Sequence, residues 1–538
     1  MRNTFFLSIL FLVLLFPLAC TKLENKSYNS LIASEFHPSS QDLAAIVGAA
    51  YTDWRTILLQ WNGLWRAQEL SADELVIPAR PNGWVDGGVY RRIHEHTWTP
   101  DDDIVVNTWN RTYAGINDCN RIIYQLKYNI IPVDDSTKKS LIAEMRALRA
   151  SYYWVLCDFF GNVPIIDSFN VPSGFLPKQS SRLEVYNYII NELIDNIPLL
   201  TTEVSQKTYG RFTQWAARVL LAKMYLNAQI YSGNPEWDKC IAQCDTIINS
   251  GLFQLESNHK NVFATHNEGS KEIIFALPFD HKYTTGWNDF DLHMETLEPE
   301  NQRTYNLLYP PWGGICVDPQ FVNTFDTNDL RYQYDFIKGQ QFASNGDSLF
   351  CTLGTIVGQP LRYVNSLPGV DSSQEIHGFR LGKFEIAMGS TNVLDNDFPL
   401  FRYADVLMMK AECLLRTGHP NEAAAIVTQV RSRDFNNPSE AYVSGLDLMQ
   451  GSSYSYGLRN HLDSTYQGGS DIQYGRFLDE LGWEFMQEGR RRTDLIRFGV
   501  FTKKSWLSHS PNGDYRALFP IPRAEIAKNP NLTQNPGY

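Results

Sequence analysis

The chain has 538 residues, 43% of them hydrophobic and 13% aromatic, with a net charge of −12. That length and apolar content suffice for a large buried core, and the acidic balance without a basic stripe excludes a nucleic-acid surface. Eight cysteines, scattered and odd in number beyond the first, exclude a disulfide framework.

In chain order, residues 1–19 read as an export signal. Arg2 supplies the positive end, and Phe5 to Phe16 form an apolar run too short to cross about 30 Å of hydrocarbon. Ala19 then precedes Cys20, the pattern of a bacterial lipoprotein cleavage site, although Pro17 stands where such sites prefer leucine. Cys20 is therefore the expected lipid attachment point, acylated with palmitate or a similar chain. Residues 20–40, polar and rich in Ser and Asn, read as a flexible tether. From residue 41 the pattern turns helical, with Asp42 as the expected N-cap.

An irregular patch, Ser71 to Asp103, interrupts the first helices, and Asp101-Asp102-Asp103 after Thr99-Pro100 suits a helix N-terminus. Asn107 to Leu126 is helical. Thr137 to Phe160 is the clearest amphipathic helix: Leu141, Met145, Leu148, Tyr152, Val155 and Phe159 step by three and four, and Gly161-Asn162-Val163-Pro164 ends it. Further helices are expected over 182–197, 212–231 and 236–249. Helix, Ser232-Gly233-Asn234-Pro235, helix is echoed by helix, Thr417-Gly418-His419-Pro420, helix, with Ala216, Ala217, Ala222, Ala404 and Ala411 allowing close approach. Such pairs resemble tetratricopeptide units. Cys240 and Cys244, one turn apart without histidine nearby, suit core packing better than a metal.

The expected fold is thus mainly α: a helical scaffold over 41–251 and 399–538, interrupted by a loop-rich insertion over 252–398 with short strands such as Glu272 to Leu277. Long irregular segments in a compact domain usually carry function. Exposed aromatics on the two patches are accordingly the candidate ligand contacts. Trp84 lies among Pro81, Asn82, Gly83, Gly87 and Gly88; Tyr283 and Trp287 flank Thr284-Thr285-Gly286; Trp312 sits between Pro311 and Gly313-Gly314. Sugar rings can stack their C–H faces on such side chains, with Arg80, Asp86 and Asp289 as candidates to take the hydroxyls.

Catalytic patterns are weak. His94-Glu95-His96 lacks metalloprotease spacing, and neither a Gly-x-Ser-x-Gly elbow nor a Walker A loop occurs. Glu484, Glu488, Arg491, Asp494 and Arg497 fall at three- and four-residue steps, which predicts paired charges along one helix face rather than acid–base chemistry. No catalytic residue, metal site or cofactor is assigned.

Five motifs in order resemble the SusD/RagB family of outer-membrane nutrient-binding lipoproteins. They are Ala143-Glu144-Met145-Arg146-Ala147-Leu148-Arg149-Ala150 through Tyr152-Tyr153-Trp154 to Phe160-Gly161-Asn162-Val163-Pro164; Gly210-Arg211-Phe212-Thr213 through Leu221 to Leu226; Phe401 to Glu412; Leu481 to Gly499; and the ending Pro520-Ile521-Pro522 to Asn535-Pro536-Gly537-Tyr538. Asp405 replaces the commoner glutamate of the third. The ending, with its buried-type residues Phe519, Ile521 and Leu532, is expected to dock on the body. The resemblance implies a SusD-like domain over 41–538, anchored in the outer membrane and facing the cell exterior. It implies binding of an oligosaccharide or similar nutrient without turnover, and delivery to a SusC-like TonB-dependent transporter. It does not carry over ligand residues, because the family's loops vary most. An exported glycoside hydrolase on a helical scaffold is the alternative, with Asp101, Asp102 or Asp103 as a possible acid.

Overall fold

The computed structural model describes residues 38–284 and 289–538; Cys20, the signal and most of the tether, and Trp287 lie outside the described residues. The main helices are α1 (Ser40–Leu58), α2 (Leu64–Glu69), α3 (Asp103–Lys127), α4 (Asp135–Phe159), α5 (Arg182–Asn196), α6 (Gln214–Leu226), α7 (Trp237–Asn249), α8 (Tyr403–Arg416), α9 (Pro420–Arg431), α10 (Gly475–Phe485) and α11 (Arg491–Arg497). The short strands used below are β1 (Leu75–Val76), β2 (Ile273–Leu277), β3 (Cys316–Val317) and β4 (Phe398–Arg402). No helix among the described residues is long and apolar enough to cross a membrane.

Local chemistry sets the helix starts. Ser39, not Asp42, caps α1: the Ser39 hydroxyl accepts the Asp42 N–H at 3.2 Å, and the Asp42 carboxylate accepts the Ser39 N–H at 2.8 Å. This reciprocal capping box needs the acid three residues inside the helix, which is where Asp42 stands. Asp134 caps α4, and Ser181 with Glu184 repeats the capping box on α5. The expected helix over 212–231 is broken at Asn227 into α6 and a short helix, Ala228–Ser232.

The helices stack as neighbours: α1 on α3, α3 on α4, α4 on α5, α5 on α6, α6 on α7, α7 on α8 and α8 on α9. The two pairs noted from sequence, α6–α7 and α8–α9, therefore adjoin in space although the insertion separates them in sequence. Pro420 is the first residue of α9, whereas Pro235 lies two residues before α7. Cys240, Cys244 and Cys413 are buried where α7 meets α8, and all seven described cysteines are free. Small residues set the tightest contacts. A side chain at Gly115 of α3 would strike the Tyr152 ring of α4, which stacks on Trp54 of α1 at 5.4 Å.

β2 and β4 pair antiparallel, Leu277 with Phe398 and Ile273 with Arg402, so the segment between them leaves and rejoins the scaffold at one place. The C-terminal tail is docked. Phe519 and Ile521 are fully buried, the Phe519 N–H donates to Phe159 O at 2.6 Å, and Asn535 Nδ2 donates to Phe160 O at 2.9 Å. Trp98 Nε1 donates to the Tyr538 hydroxyl at 2.7 Å.

The charged run 484–497 is not one helix face. α10 ends at Phe485, Gln487 and Gly489 adopt positive φ (67° and 73°), and α11 begins at Arg491. Glu484 and Glu488 both pair with Arg402 at 2.7 Å, Arg491 with Asp73 at 2.7 Å, and Arg497 with Glu412 at 2.7 Å. Only Asp494–Arg497 keeps the expected three-residue pairing, at 2.7 Å. The charges are a salt-bridge network, as expected, but it ties different elements together rather than running along one helix.

Candidate ligand-binding surface

The structure brings the two irregular patches together. β1 pairs antiparallel with β3, Leu75 with Val317 and Val76 with Cys316. The Asp318 N–H donates to Glu74 O at 2.7 Å, the Ala79 N–H to Val370 O at 2.8 Å, and the Ser373 N–H to Ala79 O at 3.0 Å. The loop after Ala79 is thus clamped from both sides by the insertion.

Arg80 is the pin of that clamp. Its Nε donates to Gly314 O at 3.1 Å, Nη1 to Gln374 O at 2.7 Å and Nη2 to His377 O at 3.0 Å. Buried with its donors aimed at main-chain carbonyls, Arg80 faces away from solvent, contrary to the role expected for it. Arg80 and Gly83 close a tight turn through two main-chain hydrogen bonds of 2.9 and 3.0 Å.

That turn throws the next residues into unusual backbone. Trp84 has φ +62° and Asp86 φ +38°, left-handed values that side chains disfavour by about 1–2 kcal/mol each. The surroundings hold them there. Trp84 Nε1 donates to Trp312 O at 2.9 Å, and the indole lies flat on the Gly314 backbone, where any side chain would strike it. Glycine at 314 is therefore required by the ring that covers it. Trp84 also meets Trp61 at 6.0 Å and Tyr90 at 5.8 Å between ring centroids, and Trp61 meets Tyr90 edge-on at 6.1 Å. The Arg66 guanidinium sits 4.5 Å over the Trp61 ring. Trp84 and Trp61 are half-buried and Tyr90 is buried, so the trio forms a supported aromatic shelf.

Trp312 is half-buried against Met294, Leu297 and Leu307, and its N–H donates to Met294 O at 2.7 Å. Asp86 is exposed beside Tyr90 and Arg66. Burial raises the Tyr90 hydroxyl well above its usual range, with Arg66 opposing and Asp86 adding to the rise.

The remaining candidates divide. Tyr283 is 84% exposed on a turn in which its N–H donates to Asp280 O at 3.0 Å. Asp289 is buried and acts on Arg55 and Arg111. Burial lowers Arg111 to about 10, and the Asp289 charge partly offsets this. Asp289 is thus turned toward the scaffold, not toward solvent. Asp291, two residues on, is buried with neither carboxylate oxygen hydrogen-bonded among the described residues. Burial pushes it up to about 7, with Arg66 pulling the other way.

Sequence reading missed Trp61, Tyr90, Arg66 and Asp291. Trp61-Asn62-Gly63 does carry a turn signal, and Asn62 adopts φ +50° there. It also missed Asp280, His281 and Asp395, whose ligand-type atoms lie within 4.8 Å of one another. His281 Nδ1 contacts both Asp395 oxygens at 2.9 Å and its main-chain N–H donates to Asp395 at 2.7 Å, while the Asp280 carboxylate accepts the Lys282 N–H at 2.8 Å.

A separate cavity of about 50 Å³ lies in the scaffold between Trp154, Leu226, Leu400 and Arg490. Its charges are already paired, Lys223 with Asp405 at 2.9 Å and Arg490 with Asp494 at 3.0 Å. It suits a few ordered waters.

Residues 23–226 match a family model described as "Starch-binding associating with outer membrane", and residues 361–517 match one described as "SusD family". The chain belongs to the SusD/RagB family. The Starch-binding protein SusD of Bacteroides thetaiotaomicron is 26% identical over 439 residues, covering 74% of this chain and 72% of that protein. Among solved structures, a laminarin-binding SusD-like protein superposes with a TM-score of 0.70 at 20% identity, covering 94% of this chain and all of that one. Surface glycan-binding protein A from B. thetaiotaomicron, in complex with laminarihexaose, gives 0.66 at 20% identity, covering 92% of this chain and 99% of that one. The solved structures share the fold of this chain, and the description of the matched family model associates it with the outer membrane.

Proposed function

We propose that this protein is a lipid-anchored, outward-facing receptor of the outer membrane that captures a glycan on the Trp84 shelf. It then passes the glycan to a SusC-like TonB-dependent transporter without chemical turnover. The observation that carries the reading is the seating of Trp84. A tryptophan held at positive φ, hydrogen-bonded through its indole N–H and flanked by Trp61 and Tyr90 presents a flat apolar face fixed in advance. Such a face stacks on the C–H side of a sugar ring with little ordering cost. Trp312, whose carbonyl takes the Trp84 indole N–H, extends the surface, and Asp86 offers an exposed carboxylate to a hydroxyl, while Tyr283 is exposed on a separate turn. Arg80 and Asp289 act indirectly, by holding the loops. The names of the relatives support a glycan as the ligand class, and the signal ending at Cys20 supports the anchor.

Titration calorimetry with laminari- and malto-oligosaccharides tests the site. Trp84→Ala should weaken binding by about tenfold or more, equivalent to roughly 1.4 kcal/mol, in a chain that still folds although its unfolding temperature falls. Unaltered affinity would move the site elsewhere. Release of reducing ends by the unmodified protein would replace the binding reading with the glycosidase alternative.

A further inference from the structure

A second surface, far in sequence from the aromatic shelf, exposes side chains that a soluble face would hide. Tyr128 and Ile130 follow α3, and Phe169, Val171, Phe175 and Leu176 lie on the loop between α4 and α5. All six are between 39% and 66% exposed. Tyr124 joins the groups, its ring 4.5 Å from Tyr128 and 5.8 Å from Phe169. The loop is not free to fold these residues inward, because its polar underside is already fastened. Asn120 Nδ2 donates to Ile166 O at 2.9 Å, Arg149 Nη1 to Asp167 O at 3.0 Å, and Asn531 Nδ2 to Leu176 O at 2.9 Å. The apolar tips are held outward by the scaffold and the C-terminal tail. Exposed patches of this kind mark interaction sites.

The course of α1 says what the patch meets. α1 runs antiparallel to α3: Asn107 Nδ2 donates to Trp61 O at 3.4 Å, Arg111 Nη1 donates to Thr56 O at 3.1 Å, and Asp53 lies against Asp118 and Arg121. Continued at about 1.5 Å per residue, the start of α1 lies at and beyond the C-terminal end of α3. Gln41, Asp42, Ala44 and Ala45 are correspondingly exposed. The chain toward Cys20 therefore leaves the fold beside Tyr128 and Ile130. The segment from Cys20 to Pro38 can extend at most about 60 Å. The exit beside Tyr128 and Ile130, rather than the reach of the tether, favours this end as the one facing a membrane that holds the anchor.

We infer that the Tyr128–Phe169–Leu176 patch rests on the lipid surface and sets the tilt of the protein relative to the membrane. The inference rests on the lipid-anchor reading of Cys20. Aromatic and aliphatic tips have the composition of an interfacial contact. Lys127 and Lys178 are exposed beside them, but so are Asp134, Asp135 and Asp167, so the rings rather than net charge carry it. Six partly exposed side chains without an acyl chain make a weak, reversible contact, which an anchor converts into a fixed orientation.

The test uses the chain from residue 21 onward, which keeps every described residue, and vesicles of phosphatidylethanolamine and phosphatidylglycerol with brominated acyl chains. A fluorophore on Val171→Cys should be quenched, while one on Leu446→Cys, which packs beside α9 at the other end of the helix stack, should not. Serine at 169, 171, 175 and 176 together should lower vesicle partitioning at least tenfold; these side chains are exposed, so folding should survive. If that variant misfolds, the two labelled chains still decide the matter. Equal signals at 171 and 446, or quenching at neither, would overturn the proposal. Protection of the patch only after adding a purified TonB-dependent transporter would overturn it in favour of a protein interface. Acylation of Cys20 in the exported full chain is read separately by mass spectrometry, so failure of the anchor and failure of the patch are distinguishable.

Discussion

The Arg402 network and the Trp84 shelf are built on opposite principles. At Arg402, three carboxylates, a carbonyl and an aromatic ring converge on one buried side chain. Its guanidinium pairs with Glu272 at 2.8 Å and with Glu484 and Glu488 at 2.7 Å, donates to Glu484 O at 2.8 Å, and lies 4.5 Å over Phe485. Lys383 and Arg433 share the same carboxylates. Each group is held by several others, so no single loop can move without leaving a charge unpaired. At Trp84 the partners are mostly main chain: one carbonyl, one glycine, and a turn held by Arg80. A surface supported by backbone rather than by side-chain identity can change its residues while keeping its frame. The buried network therefore fixes the frame, whereas the shelf, the proposed ligand site, is where the side chains can vary.

Replacing Arg402 by methionine should have the largest effect. It leaves Glu272, Glu484 and Glu488 buried with less positive charge, and breaking such a pair costs about 3–5 kcal/mol. The urea midpoint and the yield of folded protein should fall sharply. Whatever folded fraction survives should bind oligosaccharide within about twofold of the unmodified affinity. Loss of affinity in a variant of normal stability would show that the buried network acts directly on the ligand site.

The buried charges also set a pH window. His259 is buried, which alone would lower it, but Asp335 at 2.8 Å and Asp434 raise it to about 9. Because the folded value lies above the ordinary 6.5, this group stabilises fully below pH 6.5 and loses its contribution as pH rises through 9. Burial pushes Asp318 up to about 8 from an ordinary 3.8, which likewise lowers stability as pH rises across that interval. Glu484 works in the other direction. Despite burial, Arg433 and Arg402 hold it well below its ordinary 4.5, so its contribution is present above that value and lost in acid. Thermal stability should peak in the mildly acidic range and decline toward pH 9, by on the order of 3 kcal/mol for the His259 site. In His259→Gln the slope between pH 6.5 and 9 should flatten, even though the variant is less stable overall. An unchanged slope would remove His259 from the account.

Gly314→Ala tests the shelf with a single methyl group. The new carbon would occupy the place of the Trp84 ring, so the indole must leave its seat or the insertion must shift. Overpacking of this sort typically costs about 1–3 kcal/mol, less than the Arg402 change. Oligosaccharide affinity should fall about tenfold, matching Trp84→Ala. A loss in one variant and not the other would separate the ring's position from its presence.

The frame was legible in the sequence because its signals are local. Three- and four-residue periodicity marked α4, glycine and proline marked its end, and the Phe519–Ile521 tail announced its burial by composition. What was not legible depends on chain paths. Glu484 to Arg497 has ideal helical spacing, yet Gln487 and Gly489 turn the chain, and the partners come from positions 73, 402 and 412. Arg80 and Asp289 look like exposed polar groups in a loop, and nothing local says that main-chain carbonyls and Arg111 lie waiting on the inner side. Trp61 was overlooked for the same reason, since its value comes from Trp84 and Arg66, which pack against it from elsewhere in the sequence.

The smallest expected effect probes the strain on which the shelf depends. Asp86 holds φ +38°, a value glycine adopts without cost. Asp86→Gly removes that strain but lets the unfolded chain sample more conformations, so the net gain should be only about 0.5 kcal/mol, seen as a slight rise in unfolding temperature. If Asp86 takes a sugar hydroxyl, the same variant should bind oligosaccharide several-fold more weakly despite being no less stable, because a typical hydrogen bond contributes about 0.5–1.5 kcal/mol net. The two readouts therefore move apart. A fall in stability would show that the Asp86 carboxylate supports the loop, most directly through Tyr90, and would shift its role from ligand contact to the same backbone support that Arg80 provides.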